Sequence, residues 1–243
     1  ICLYGTFDPT YVRNITLRRA LERQGIEVVT CQTDCWSPHE MRLHAVQRGK
    51  NRLRYAWQWL AAQGRLLRQH RHVGLYDALL VCYPGSFDMF LARLLGWWRR
   101  CPVILDAFLS LYDTVVEDRR LVSPRSPFAR FLWAVDWFSL HLADHLLVDT
   151  PANAAYLART FGLPAEHITP IWVGADEEVY TPRELFEPLK RPKALRAIWW
   201  KASSGPPTIM ARVPAMAPVC PPLKGASRRV IPLLAAALAR FCE

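Results

Sequence analysis

Short apolar runs alternate with longer amphipathic stretches up to about residue 176. The runs Ile1–Gly5, Ile26–Cys31, Ala78–Tyr83, Val103–Ala107, His145–Asp149 and Ile168–Val173 are mostly β-branched or leucine-rich and lack polar alternation, which predicts strands buried on both faces. Between them, apolar residues recur at helical spacing. Leu17, Ala20 and Leu21 share one face of a helix predicted over Val12–Gln24, with Arg18, Arg19 and Arg23 more exposed and Gly25 as its stop. Leu53, Trp57, Leu60 and Leu67 mark a second over Arg52–His70. Three more are predicted over Ser86–Trp98, Pro127–Ala143 and Pro151–Phe161, the last with Thr150 as N-cap, Pro151 at its first position and Gly162 at its end. The pattern predicts an α/β fold: a Rossmann-like parallel sheet with helices on both faces, whose ligands bind beyond the carboxyl ends of the strands.

The rhythm stops after Val173. Asp176–Pro188 is acidic and turn-like, and residues 188–243 hold nine prolines and ten Lys+Arg against a single acid, Glu243. The net charge of +10 therefore divides into +1 over the first 187 residues and +9 over the last 56. A near-neutral domain is not a nucleic-acid surface, so no specific nucleic-acid partner is expected. The division predicts a Rossmann-like domain over 1–183 and a poorly ordered, basic, Pro/Ala-rich tail over 184–243.

Candidate chemistry lies in the loops after the first, third and fourth strands. Gly5-Thr-Phe-Asp-Pro-Thr has one glycine where the dinucleotide fingerprint needs three, and the P-loop pattern is missing, which argues against an oxidoreductase and an NTPase. Cys31, Cys35, His39 and His44 superficially resemble a metal set, but their spacing departs from the usual paired ligands and Pro38 interrupts the loop, so no metal site is expected. The seven cysteines sit mostly in apolar runs and read as small hydrophobes in a reducing cytoplasm. No segment has the apolar length to span a membrane, and no signal peptide is in view. The candidate binding residues are Gly5, Thr6 and Asn14 near the first loop, Tyr83, Gly85 and Ser86 near the second, and Asp113 beyond the third. Asp106, at a strand's carboxyl end, is the candidate catalytic carboxylate, with capping of the following turn as its bland alternative. Gly5 could equally make an ordinary strand-to-helix turn. The tryptophan-rich helix around Phe128–Leu140 and the Trp97-Trp98-Arg99-Arg100 run read first as core packing, with peripheral membrane contact as the alternative.

The segment Asp144-His-Leu-Leu-Val-Asp-Thr-Pro-Ala-Asn, the helix to Phe161-Gly162, then His167-Ile-Thr-Pro-Ile-Trp-Val-Gly-Ala-Asp and Tyr180-Thr-Pro together resemble the end of the N-terminal domain of a family-4 glycosyltransferase. Val173, Gly174, Asp176, Tyr180 and Pro182 occupy the family's places, with Ala175 for the usual Val. Tyr4-Gly5 to Gly25-Ile-Glu-Val is similar to its first βαβ unit. The resemblance implies the first half of a GT-B fold, with Gly174 and Asp176 at the hinge, a glycan or lipid-linked acceptor on this domain, and a nucleotide-sugar donor held by a second domain. Because acceptors in the family are often lipid-linked, the resemblance keeps open the alternative that this cytoplasmic protein is peripheral at the inner face of the membrane. Many relatives carry a His near the position of Asp106. The family's donor motif, two Glu separated by seven residues, has no counterpart between Glu187 and Glu243, where no acid occurs. The tail is thus expected to be a truncated or out-of-frame remnant of the donor domain, with no cofactor bound by this chain and no turnover alone. A non-catalytic Rossmann-like module, docking its basic tail on anionic membrane or nucleic acid, is the alternative.

Overall fold

A computed structural model describes residues 1–33 and 52–172 of the protein. Six strands form one parallel sheet: β1 (Cys2–Gly5), β2 (Val29–Gln32), β3 (Leu79–Val81), β4 (Val103–Asp106), β5 (His145–Val148) and β6 (Ile168–Pro170). Their order is β2-β1-β3-β4-β5-β6. Cys2 lies between Val29 and Leu79, and Tyr4 between Cys31 and Val81, which places β1 inside the sheet. The helices are α1 (Val12–Arg23), α2 (Arg52–His70), α3 (Met89–Arg99), α4 (Pro127–Leu142) and α5 (Pro151–Phe161). The Rossmann-like α/β reading holds, with strand ends shorter than the apolar runs.

Strand order decides which face each helix covers. The step from β1 to β2 runs one way and every later step runs the other, so right-handed crossovers put α1 on one face and α2 to α5 on the opposite one. The core divides accordingly. Leu17, Ala20 and Leu21 of α1 pack with Leu3, Leu80, Ile104 and Leu147. On the other side Leu66, Met89, Ala92, Leu95, Leu140 and Leu157 meet Tyr4, Leu79, Val81, Leu105 and Val148. Each fully buried leucine contributes on the order of 2 kcal/mol.

Helix ends follow local chemistry. Ser126 and Thr150 accept hydrogen bonds from the backbone N–H groups of Ala129 and Asn153, Pro127 and Pro151 occupy first positions, and Gly162 closes α5 in the left-handed region at φ 69°. Two features differ from the expected pattern. Helix α3 begins at Met89 rather than Ser86; residues 86–88 form a turn, and the Asp88 carboxylate bonds to Thr6 instead of capping the helix. A π-helical turn, Asp113–Asp118, interrupts the loop after β4. The last strand, expected to reach Val173, ends at Pro170 and leaves Ile171 and Trp172 outside it; Val173, the hinge residues Gly174 and Asp176, the candidate ligands Cys35, His39 and His44 and the tail from 184 lie outside the described residues. Among the described residues no helix is long and apolar enough to cross a membrane.

Candidate functional site

In a sheet of this order the chain reverses direction between β1 and β3, and the loops leaving those two strands splay apart at their carboxyl ends. Gly5, Thr6, Tyr83 and Gly85 sit there, as the strand pattern predicts. What the sequence pattern did not indicate is what holds them. Asp88, 1% exposed, accepts hydrogen bonds at Oδ2 from the Thr6 amide at 2.6 Å and the Thr6 hydroxyl at 2.8 Å. Its Oδ1 accepts from Gln63 Nε2 at 2.6 Å and Trp59 Nε1 at 3.3 Å. Burial pushes the Asp88 carboxyl upward against these four donors. Gly5 is required by the same contact: its φ is +133°, and a Cβ would lie 2.8 Å from Asp88 Oδ2. Gly85 is confined in the neighbouring loop, where a Cβ would fall against the Val81 side chain and 2.7 Å from the Cys82 carbonyl oxygen.

Asp106 stands at the end of β4, but its carboxylate is sealed. Arg13 donates from Nε to both oxygens, at 2.9 and 2.8 Å, and from Nη2 to Oδ1 at 2.6 Å. The two side chains are 4% and 0% exposed. Burial raises the Asp106 carboxyl and the guanidinium opposes that rise. The remaining Arg13 nitrogen, Nη1, donates to the Ile171 carbonyl at 3.1 Å, so the pair ties α1 and β4 to the chain leaving β6. Asp106 therefore neither faces the cleft as a lone carboxylate nor caps its own turn.

Above this pair lies a cluster of aromatic rings. The Arg13 guanidinium carbon sits 4.8 Å from the Phe108 ring centroid. Phe108 meets Tyr83 edge-on at 5.2 Å, and Tyr11 lies 5.5 Å from Tyr83 and 6.4 Å from Phe108. All three rings are half-buried. Beneath them Asn14, 3% exposed, donates from Nδ2 to the carbonyls of Asp8 and Tyr83, at 2.9 and 3.0 Å, which joins the loops after β1 and β3. Its Oδ1 is buried without a hydrogen-bond partner.

The sequence profile of the family described as Glycosyltransferase Family 4 matches residues 12–179. The chain belongs to glycosyltransferase family 4. No curated protein matches it. The matched span starts with α1 and runs past the last described strand, so this sheet is the scaffold of a glycosyltransferase domain, and glycan-type acceptors are the substrates its family indicates.

The third loop of the glycosyltransferase domain is ordered by a second buried acid. Asp136 on α4 accepts from the Ser110 hydroxyl at 2.7 Å and the Tyr112 amide at 2.8 Å, and the Ser86 hydroxyl also bonds to it. Burial pushes its pKa up to about 6. Ser86 thus belongs to a support between the loops after β3 and β4. Asp113 opens the π-helical turn beside Glu117 and Asp118, where burial and these two acids raise its carboxyl. Glu117 accepts from Tyr156 at 3.0 Å. Of the sequence candidates, the structure brings Gly5, Thr6, Asn14, Tyr83 and Gly85 together at the switch point and places Ser86 and Asp113 on its β4 side. Arg13, Asp88, Tyr11, Phe108 and Asp136 went unnoticed in the sequence. The buried Arg13 stands four residues before Leu17, on the apolar stripe of α1 that the exposed Arg18 and Arg23 do not share, but that spacing does not name its partner.

Proposed function

We propose that this domain binds the acceptor of a glycosyl transfer in which a sugar moves from a nucleotide-sugar donor to a glycan or lipid-linked acceptor, in polysaccharide or glycolipid assembly. The observation that carries the proposal is the ring cluster of Tyr11, Tyr83 and Phe108 at the switch point of a sheet belonging to this family. Half-buried aromatic faces with a few placed polar groups suit a ligand that is apolar on its ring faces and polar at its hydroxyls. Asn14, bonded to the Tyr83 carbonyl at 3.0 Å, holds this loop from within, its Oδ1 buried without a hydrogen-bond partner. Asp106 acts in this reading as a positioning residue, holding Arg13 under Phe108 rather than touching the acceptor.

Donor binding is assigned elsewhere. The residues between 188 and 242 include no Asp or Glu, so the paired acids that would hold the donor's ribose and sugar are not supplied there. In this reading the departing diphosphate is stabilised by the donor-holding side, so the chain alone binds acceptor and does not turn over. A lipid-linked acceptor would place the domain at the cytoplasmic face of a membrane as a peripheral protein.

The test is a titration of the chain with defined oligosaccharides and polyprenyl-linked glycans, followed by tyrosine and tryptophan emission, alongside an assay of nucleotide-sugar hydrolysis. Phe108→Ala and Tyr83→Ala are expected to weaken binding at least tenfold, with an unchanged melting profile as control. Absence of binding to every glycan class overturns the acceptor role. Turnover of a nucleotide sugar by this chain overturns the assignment of donor binding elsewhere.

A further inference from the structure

Helices α2, α3 and α4 lie side by side on one face of the sheet, and their outward sides are unusually apolar. Trp57 and Leu60 on α2, Leu94 and Trp97 on α3, and Phe131 and Phe138 on α4 are between 51% and 73% exposed. Each pair is three or seven residues apart, so each helix presents a stripe along its outer side. The layer is continuous, since His70 of α2 lies 6.3 Å from the Trp98 ring of α3, and Phe87 before α3 lies 6.5 Å from Phe131 of α4.

Among the described residues the charge on this layer has one sign. Helices α2 and α3 contain no Asp or Glu, and the single acid of α4, Asp136, points inward and is 2% exposed. Arg54, Arg68, Arg100 and Arg130 are exposed on it or at its ends. Two more arginines stack on the exposed indoles, Arg93 at 5.2 Å from Trp97 and Arg99 at 5.3 Å from Trp98. The neighbouring carboxylate, Asp144 just beyond α4, is neutralised by Arg93 at 2.6 Å. Among the described residues, the exposed acids Glu22 and Glu27 belong to the α1 side, and Asp77, Glu117, Asp118 and Glu166 to turns. Exposed indoles and phenyl rings framed by arginines, without carboxylates, match a bilayer interface carrying anionic headgroups.

We infer that the α2–α3–α4 face docks on an anionic lipid surface, with the stripes in the headgroup layer and the carboxyl edge of the sheet beside the membrane. This rests on the reading of a membrane-borne acceptor and specifies which surface meets the bilayer. The full chain is sedimented with phosphatidylcholine vesicles, with and without phosphatidylglycerol and without any glycan lipid. Binding is expected only with phosphatidylglycerol, with a blue shift of tryptophan emission and quenching by brominated acyl chains. Leu94→Ser with Trp97→Ser, and separately Arg68→Glu with Arg130→Glu, are expected to weaken it by about tenfold or more. Leu75→Ser, a residue 94% exposed outside these helices, is expected to leave it unchanged. Three results overturn the inference: no vesicle binding, undiminished binding by both face variants, as attachment through the basic residues 188–243 would give, or a dimer in solution that the Leu94/Trp97 variant dissociates. Because the vesicles hold no glycan, loss of acceptor binding with vesicle binding intact would overturn the acceptor reading alone.

Discussion

Arg13 on α1 and Asp106 on β4, 93 residues apart in sequence, share three hydrogen bonds of 2.6 to 2.9 Å in a space closed to solvent. Two charges withdrawn from water are tolerated only while each satisfies the other. Asp106→Ala leaves the guanidinium buried and uncompensated, and is expected to lower the unfolding free energy by about 3–5 kcal/mol in urea titration. The double variant Arg13→Met/Asp106→Leu removes both charges and should recover most of that loss. A double variant no more stable than the single one would show that the cost lies in packing.

Gly5 and Gly64 call for opposite outcomes from the same substitution. Gly5→Ala forces a Cβ against Asp88 at a φ that side chains rarely adopt, and should destabilise by about 1 kcal/mol or more. Gly64 lies inside α2 with nothing within 4 Å of a Cβ, so Gly64→Ala should stabilise by about 0.5–1 kcal/mol. Thermal melts of both variants check the pair.

Two buried groups set opposing pH trends. Burial pushes the His145 imidazole, bonded through Nε2 to the Thr169 hydroxyl at 2.8 Å, down from 6.5 to about 4. The folded protein keeps it neutral, so its contribution is complete above pH 6.5 and is lost as pH falls toward 4. Asp136 moves the other way, from 3.8 to about 6, and its contribution is complete below pH 3.8 and is lost as pH rises through 6. Melting temperatures taken across pH 4–6 should show Asp136→Asn gaining on the parent as pH rises, and His145→Gln gaining on it as pH falls. Parallel curves for parent and variants would sink this assignment.

Element identity was legible locally. The α2 and α5 boundaries coincide with the predicted ones, because apolar periodicity, Thr150, Pro151 and Gly162 act within a turn or two of the residues they govern. The role of Asp88 at the start of α3 was not, since it bonds to Thr6, 82 residues away, instead of capping its own helix. Asp106 was correctly placed at a strand end, yet its environment was illegible: helical spacing puts Arg13 on the inward stripe of α1 with Leu17, but nothing near either residue names the other, 93 positions away, as its partner.

Composition and periodicity carried the parallel sheet, the order of its elements and the near-neutral character of residues 1–187, and short motifs such as Asp144–Asn153 carried the family resemblance, all properties of short-range pattern. Which loops meet at the switch point, which acids are clamped and which helix faces stay open depend on the strand order β2-β1-β3-β4-β5-β6. That order follows from burying both sides of the sheet at once, a condition on residues tens of positions apart that no single segment expresses.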